Sequence, residues 1–352
     1  MSDPIVFARV RHIGLITLNR PEALNALTLD MIHQLQHHLE EYLNDSDIHA
    51  VVLMAAPGKA FCAGGDVRWL YEAGPEDTQK QMQFFWHEYR LNHFIHNYTK
   101  PYISLMDGVT MGGGVGISLH GSHPIATERF MFAMPETGIG FFPDIGASYL
   151  LSRCPGQIGM YLGLTGHRLG MNDARALGLV KFLISSDKIQ EALSHLIFAD
   201  LSEDAFAAVD RCLMPVVLSA GASSLLAHQV DIDACFEGAD VESIVNRLAV
   251  RTDKWSQETS HILEKKSPIS LKVTADQLKK AKVMSMADCI KMDYCLAGHF
   301  MRGHDFYEGV RALLVDKDKL PQWQPDLLSK VTKASVEDYF HCGQPGLPFL
   351  NI

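Results

Sequence analysis

Ala50-Val51-Val52-Leu53-Met54-Ala55-Ala56-Pro57-Gly58-Lys59-Ala60-Phe61-Cys62-Ala63-Gly64-Gly65-Asp66 is the stretch that decides the fold class. It opens on a short apolar run, which fits a strand buried on both faces. It passes through a Gly-rich loop over 57–65 and ends at an aspartate where a helix begins. Upstream, residues 5–18 read as two short strands turning near Arg11-His12 and ended by Asn19-Arg20-Pro21. Met31, Ile32, Leu35, Leu39 and Leu43 then recur at helical spacing, so 28–44 is expected to be an amphipathic helix with Thr28 as its N-cap. Downstream the unit repeats. Tyr102–Met106 reads as a strand, Gly112-Gly113-Gly114 as a tight loop and 114–121 as helical. Further short strands are expected at 124–127 and 131–133. Strand–loop–helix units in series imply an α/β architecture.

Beyond about Phe182 the character changes to helical periodicity over 187–264, and Pro268 reads as an interruption of a helical stretch. At least two more helices are expected over 269–315. The organisation expected is therefore an α/β core over 1–182, a helical segment over 183–264 and a helical C-terminal region over 265–352 that completes the domain. No tandem repeat or low-complexity tract is visible.

Composition narrows the function. The 352 residues are 47% apolar, and 41 acidic against 31 basic side chains give a net charge of -10. Nucleic-acid binding would need a concentrated basic face, so it is not expected. An acidic protein can still hold a polyanion on main-chain N–H groups. No apolar run is long enough to cross a bilayer, so no membrane partner is expected. The opening carries no signal or transit pattern, which reads as cytoplasmic. The seven cysteines include no C-x-x-C pair and read as reduced thiols. No metal motif is found: His87-Glu88 lacks the second histidine, and His33 and His37 read as solvated. Walker, G-x-G-x-x-G and G-x-S-x-G patterns are also missing.

Three segments carry chemistry. Ala60–Asp66 and Met111–Gly116 each place small residues where a helix begins, leaving free N–H groups and partial positive charge. Small side chains let a ligand oxygen approach those groups. Two such loops facing each other would form a two-donor oxyanion hole, although on glycine content alone two structural turns are the plainer reading. The third segment is Pro135-Glu136-Thr137-Gly138-Ile139-Gly140-Phe141-Phe142-Pro143-Asp144, with two carboxylates eight residues apart among apolar and small neighbours. Desolvation raises a carboxylate pKa toward general-base values. The plain alternative is a helix cap and a surface turn.

Together these segments resemble the crotonase superfamily, with Gly14–Pro21 and Asn25-Ala26-Leu27 as its opening signature, across roughly residues 5–182. Phe84-Phe85, Glu88-Tyr89, Leu91-Asn92, the 135–144 segment and Met301–Ala312 are similar to its 3-hydroxyisobutyryl-CoA hydrolase branch. The closing Asp316-Lys317-Asp318 with Pro321, Trp323 and Pro325 extends the likeness over nearly the whole chain.

The resemblance implies a ββα spiral core and hydrolysis of an acyl-CoA thioester, 3-hydroxyisobutyryl-CoA giving 3-hydroxyisobutyrate and CoA, as in valine degradation. It implies Glu136 as the catalytic glutamate and Asp144 as the second acid. The amides of Ala63 and Gly113 would form the oxyanion hole. Glu88 matches a substrate-contacting position. Ala60, Gly64, Gly65, Asp66 and Gly112 would meet the substrate, and Arg20 is a candidate phosphate contact. CoA is part of the substrate, so no cofactor or metal is expected. A homo-oligomer, trimer-based or smaller, is the expected assembly. Enoyl-CoA hydratases carry a further glutamate where this chain has Gly116, which weighs against the rival hydratase or isomerase reading. A non-catalytic CoA-binding protein is the rival of another class, and retention of Glu136 and Asp144 weighs against it.

Overall fold

A computed structural model describes residues 3–238, 240–343 and 346–350. Among the described residues nine strands form two sheets. The larger takes β1 (Ile5–Val10), β2 (Ile13–Leu18), β3 (Ala50–Ala55), β5 (Tyr102–Met106), β7 (His123–Ala126) and β9 (Phe182–Leu183) in that spatial order. β1 and β2 are an antiparallel hairpin whose turn puts Arg11 at φ 57°; every later pairing is parallel. The smaller sheet has three parallel strands, β4 (Ala60–Cys62), β6 (Val109–Met111) and β8 (Met131–Ala133), with β6 central. β4 lies inside the segment expected to be loop.

Side chains alternate across the larger sheet as a period of two requires. Val51, Leu53, Tyr102 and Met106 enter the main core, whereas Val52, Ile103, Leu105 and Ile125 enter a second core. α8 (Ile189–Phe198) and α9 (Ala205–Leu213) cover that second face with Leu193, Leu196, Val209 and Leu213. The division expected at 182/183 therefore falls inside β9, and the helices after it are part of the sheet's packing.

On the opposite face, α1 (Leu29–Asn44) is capped by Thr28, whose side chain accepts from Met31 N, and it buries Met31, Ile32, Leu35 and Leu39. α2 (Val67–Ala73), α3 (Thr78–His96) and α4 (Gly113–Gly116) follow the Gly-rich loops. α4 is a single turn, shorter than the 114–121 expected. α5 (Ala147–Leu151), α6 (Ile158–Thr165) and α7 (Met171–Ala176) complete this half. α10 (Gln229–Phe236), α11 (Val241–Ala249) and α12 (Lys254–Glu264) stack beyond α6. α13 (Pro268–Ala281), α14 (Met286–Phe300), α15 (His304–Val310) and α16 (Lys333–Asp338) close the molecule. Pro268 starts α13 rather than breaking a helix, because N1 needs no N–H and the Ser267 side chain caps the turn. Among the described residues no helix is long and apolar enough to cross a membrane.

Cys295 and Cys342 form a disulfide with their Cα atoms 5.2 Å apart, tying the C-terminal segment to α14. Seven reduced thiols were the expectation, and it is corrected to five free cysteines and one bridge. The pairing spans 47 residues, which no local spacing pattern announces.

Candidate active site

The three strands of the small sheet end side by side, and each hands its chain to one chemical segment. β4 runs into Ala63–Asp66, β6 into Gly112-Gly113, and β8 through Met134-Pro135 to Glu136. Adjacent strands sit about 4.8 Å apart, so the ladder itself brings the three segments within one substrate's reach. Gly64 at φ 121° and Gly112 at φ 46° make the turns, in a backbone region that favours glycine. The two loops abut, with the Gly65 nitrogen 3.1 Å from where a Gly113 side chain would begin.

Main-chain pairing corrects one expected donor. The Ala63 N–H is already donated to the carbonyl of Leu24 at 3.0 Å. It is not free to receive a substrate oxygen. The Gly65 and Gly113 N–H groups have no partner among the described residues. Gly65 and Gly113 therefore carry the unpaired N–H groups at this junction of the loops, and Ala63 lines the wall.

Both loops border a cavity of about 200 Å³. Its wall includes Ala63, Gly64, Gly65, Gly112 and Gly113, three carboxylates, and a set of apolar side chains. Phe84 and Phe85 come from α3, and Phe141 and Ile139 from the segment after Glu136. A π-helical turn over Arg311–Val315 adds Leu313 and Leu314. Ala60, Asp66 and Arg20 do not line the cavity. The Ala60 carbonyl accepts from Asn25 Nδ2 at 3.0 Å. Asp66 caps α2 through Trp69 N at 3.3 Å and accepts from Arg20 Nη1 at 3.1 Å. Arg20 Nη1 also donates to the Ala26 carbonyl at 3.0 Å. These residues hold the loop in shape, outside the cavity that the acids line.

The three acids are Glu88 on α3, Glu136 in a 3-10 turn (Glu136–Ile139), and Asp144; they are 2%, 7% and 6% exposed. Glu136 Oε2 and Glu88 Oε1 are buried without a hydrogen-bond partner among the described residues. Glu136 Oε1 lies 3.1 Å from the Cβ position of Gly112, beside the donor loop. Asp144 Oδ2 accepts from the Tyr89 hydroxyl at 2.7 Å. Burial pushes all three carboxyls up, and their mutual repulsion adds to this for the two glutamates. Asp144 rises to about 7, held back by the Tyr89 bond. Glu88 and Glu136 are likewise held well above the usual carboxylate range, chiefly by burial.

The segment carrying Asp144 is anchored from below. Asp293 Oδ2 accepts from Gly146 N at 2.8 Å, and Gln277 Nε2 donates to the Pro143 carbonyl at 2.9 Å and to Asp293 Oδ1 at 2.8 Å. Gln277 and Asp293 were not singled out from the sequence. Tyr89 and Asn92 entered only as part of the family likeness, with no role assigned. Asn92 is fully buried, and its Nδ2 would lie 2.6 Å from a Cβ at Gly116.

The profile of the enoyl-CoA hydratase/isomerase family matches residues 13–340. The chain belongs to that family. Among curated family members, the 3-hydroxyisobutyryl-CoA hydrolase, mitochondrial, of Danio rerio is 42% identical over 344 residues, covering 96% of this chain and 90% of that protein. The protein of the same name from Xenopus tropicalis is 41% identical, covering 93% and 86%. A crystal structure described as a carnitinyl-CoA dehydratase from Mycobacterium thermoresistibile superposes with a TM-score of 0.92 at 36% identity, covering 99% of each chain. The fold expected from the sequence, a crotonase-like α/β core with a helical C-terminal region, agrees with these family likenesses. Both hydrolases are named as mitochondrial, where the sequence reading expected a cytoplasmic protein.

Proposed function

We propose that this enzyme hydrolyses the thioester of 3-hydroxyisobutyryl-CoA. The observation that carries the reading is a pair of unpartnered main-chain N–H groups, Gly65 and Gly113, opening on the same cavity as Glu136 and Asp144. The thioester oxygen would sit between the two N–H groups and gain negative charge as its carbon is attacked. One such donor is worth about 3 kcal/mol in the transition state. Glu136 either takes a proton from the attacking water and returns it to the CoA sulfur as the C–S bond breaks, or attacks the carbon itself, expelling CoA thiolate to give an anhydride that water then opens. A single turnover in 18O-water separates the routes, since only the anhydride route can leave label in the Glu136 carboxylate. Asp144, oriented by Tyr89, would accept the substrate's 3-hydroxyl. A site built around that hydroxyl rejects analogues lacking it, because a buried polar group is left unpaired. CoA enters as part of the substrate, and the proposed chemistry calls for no metal or redox cofactor.

Asn92 favours hydrolysis over hydration. Its amide fills the space beside Gly116, where the resemblance puts the hydratases' further glutamate. The experiment is thiol release from 3-hydroxyisobutyryl-CoA by purified protein. Glu136→Gln is expected to lower turnover at least a hundredfold with the fold intact. Loss of enoyl absorbance from crotonyl-CoA without thiol release would overturn the hydrolase reading.

A further inference from the structure

The cavity wall holds three acids and no lysine or arginine. The nearest compensating cation stands behind the wall. Lys266 leaves the chain just before α13, in a segment fixed at several points. Ser267 N donates to the carbonyl of Thr137, the residue after Glu136, at 3.2 Å. Ser267 Oγ donates to Asp305 Oδ2 at 2.6 Å, and Trp323 Nε1 donates to the Lys265 carbonyl at 3.1 Å. The Lys266 ammonium lies in a slot left open by two glycines. A Cβ at Gly138 would be 3.1 Å from Nζ, and one at Gly166 would be 3.6 Å away. Gly138 belongs to the same short turn as Glu136. Among the described residues Nζ has no hydrogen-bond or ion-pair partner.

We infer that Lys266 is a positioning residue whose ammonium keeps the charge of the buried acid cluster on Glu136. The groups facing Glu136 set the competition. Glu88 from α3 and Asp144 repel a charge on it, while the Tyr89 hydroxyl draws charge to Asp144. Asp293 of α14, behind Asp144, has its own carboxyl pushed well up by burial and by Asp144. Asp305 of α15, reached through Ser267, lies on the lysine's side. His304 Nδ1 lies 3.1 Å from Asp305 Oδ1, and Lys266 is the cation that acts on Glu136 itself. Burial lowers its own pKa to about 8, and Glu136 pulls it back up, so the two groups sense each other. A cation there favours the ionised glutamate in the way any close opposite charge does.

This inference rests on the hydrolase reading, and its test is separable from it. Lys266→Met keeps an unbranched chain one atom shorter and removes the charge. The acid limb of the kcat/KM profile is expected to move up by about one pH unit, with activity recovering at higher pH and the melting temperature held. Gly138→Ala, which fills the slot while leaving the lysine in place, is expected to shift the limb in the same direction by less. Infrared titration of the Glu136 carboxyl, identified by its loss in Glu136→Gln, reads the same shift without any substrate. An unmoved limb and an unmoved carboxyl titration in Lys266→Met would overturn the inference. Lys266→Gln replaces the methionine variant if that variant does not fold. Absence of thiol release by the wild type would overturn the hydrolase reading alone, since the infrared shift would still decide the role of Lys266.

Discussion

Replacing Asp144 with asparagine should stabilise the protein while disabling it. Its carboxyl is pushed from 3.8 to about 7, with burial the main cause. A buried acid with a raised pKa destabilises the fold where it is ionised, because the unfolded chain holds the charge more easily. The difference corresponds to about 4 kcal/mol above pH 7. It is absent below pH 4, where both states are protonated. Stability from this group therefore falls as pH rises from about 4 to about 7. Asparagine keeps the shape and can still accept from Tyr89, so Asp144→Asn should recover about 2–4 kcal/mol at pH 8. For a chain of this length that is about 3–5 °C in melting temperature. Calorimetry at pH 8 and pH 5 would measure it, and the gain should shrink markedly at pH 5. A melting temperature unchanged at pH 8, or a gain equal at both pH values, would refute the argument. Activity toward the 3-hydroxy substrate should fall in the same variant, an exchange of function for stability that active sites often show.

Three further outcomes follow from the same geometry. Tyr89→Phe removes a hydrogen bond to a charged acceptor, worth about 1.5–3 kcal/mol; Asp144 should titrate about one to two units higher, and kcat/KM for the 3-hydroxy thioester should drop about tenfold or more at neutral pH. A drop shared equally by a thioester lacking the hydroxyl would remove the orienting role. Gly116→Ala should destabilise by about 1–3 kcal/mol through overpacking against Asn92, and denaturant unfolding should show the loss largely relieved when Asn92→Ala accompanies it. Alkylation of unfolded protein without reductant should label five thiols, and seven after reduction; seven in both would exclude the Cys295–Cys342 bridge.

Much of the scaffold was legible because its signals are local. The apolar run at Ala50–Met54, the alternation from Ile5 and the spacing from Met31 to Leu39 each report a period that one element can satisfy alone. β4 was hidden because three residues inside a glycine loop carry no period; only the ladder with β6 makes them a strand. The same limit explains the donor. Sequence shows that the loop Ala60–Asp66 offers N–H groups, but Leu24, at φ 52°, takes up the one on Ala63. Which amide stays free is decided by a residue 39 positions away. Glu136 and Asp144 were legible as acids in apolar company. Lys266 was not, and Tyr89 and Asn92 were read only as part of a likeness, since the importance of all three lies in partners across the fold. Pro268 was misread because a proline stops one helix and starts another by the same chemistry, and Ser267 before it was the available clue.

The small sheet of β4, β6 and β8 has a consequence for how this enzyme can be dissected. Its polarising groups belong to the peptide chain, so a library that exchanges side chains will pass over them. Alanine scanning would register the acids and the aromatic lining and leave the amides silent. At Gly65 and Gly113 it would report steric intrusion instead. Exchanging the peptide link for an ester, one atom at a time, is the substitution that would make those contributions visible.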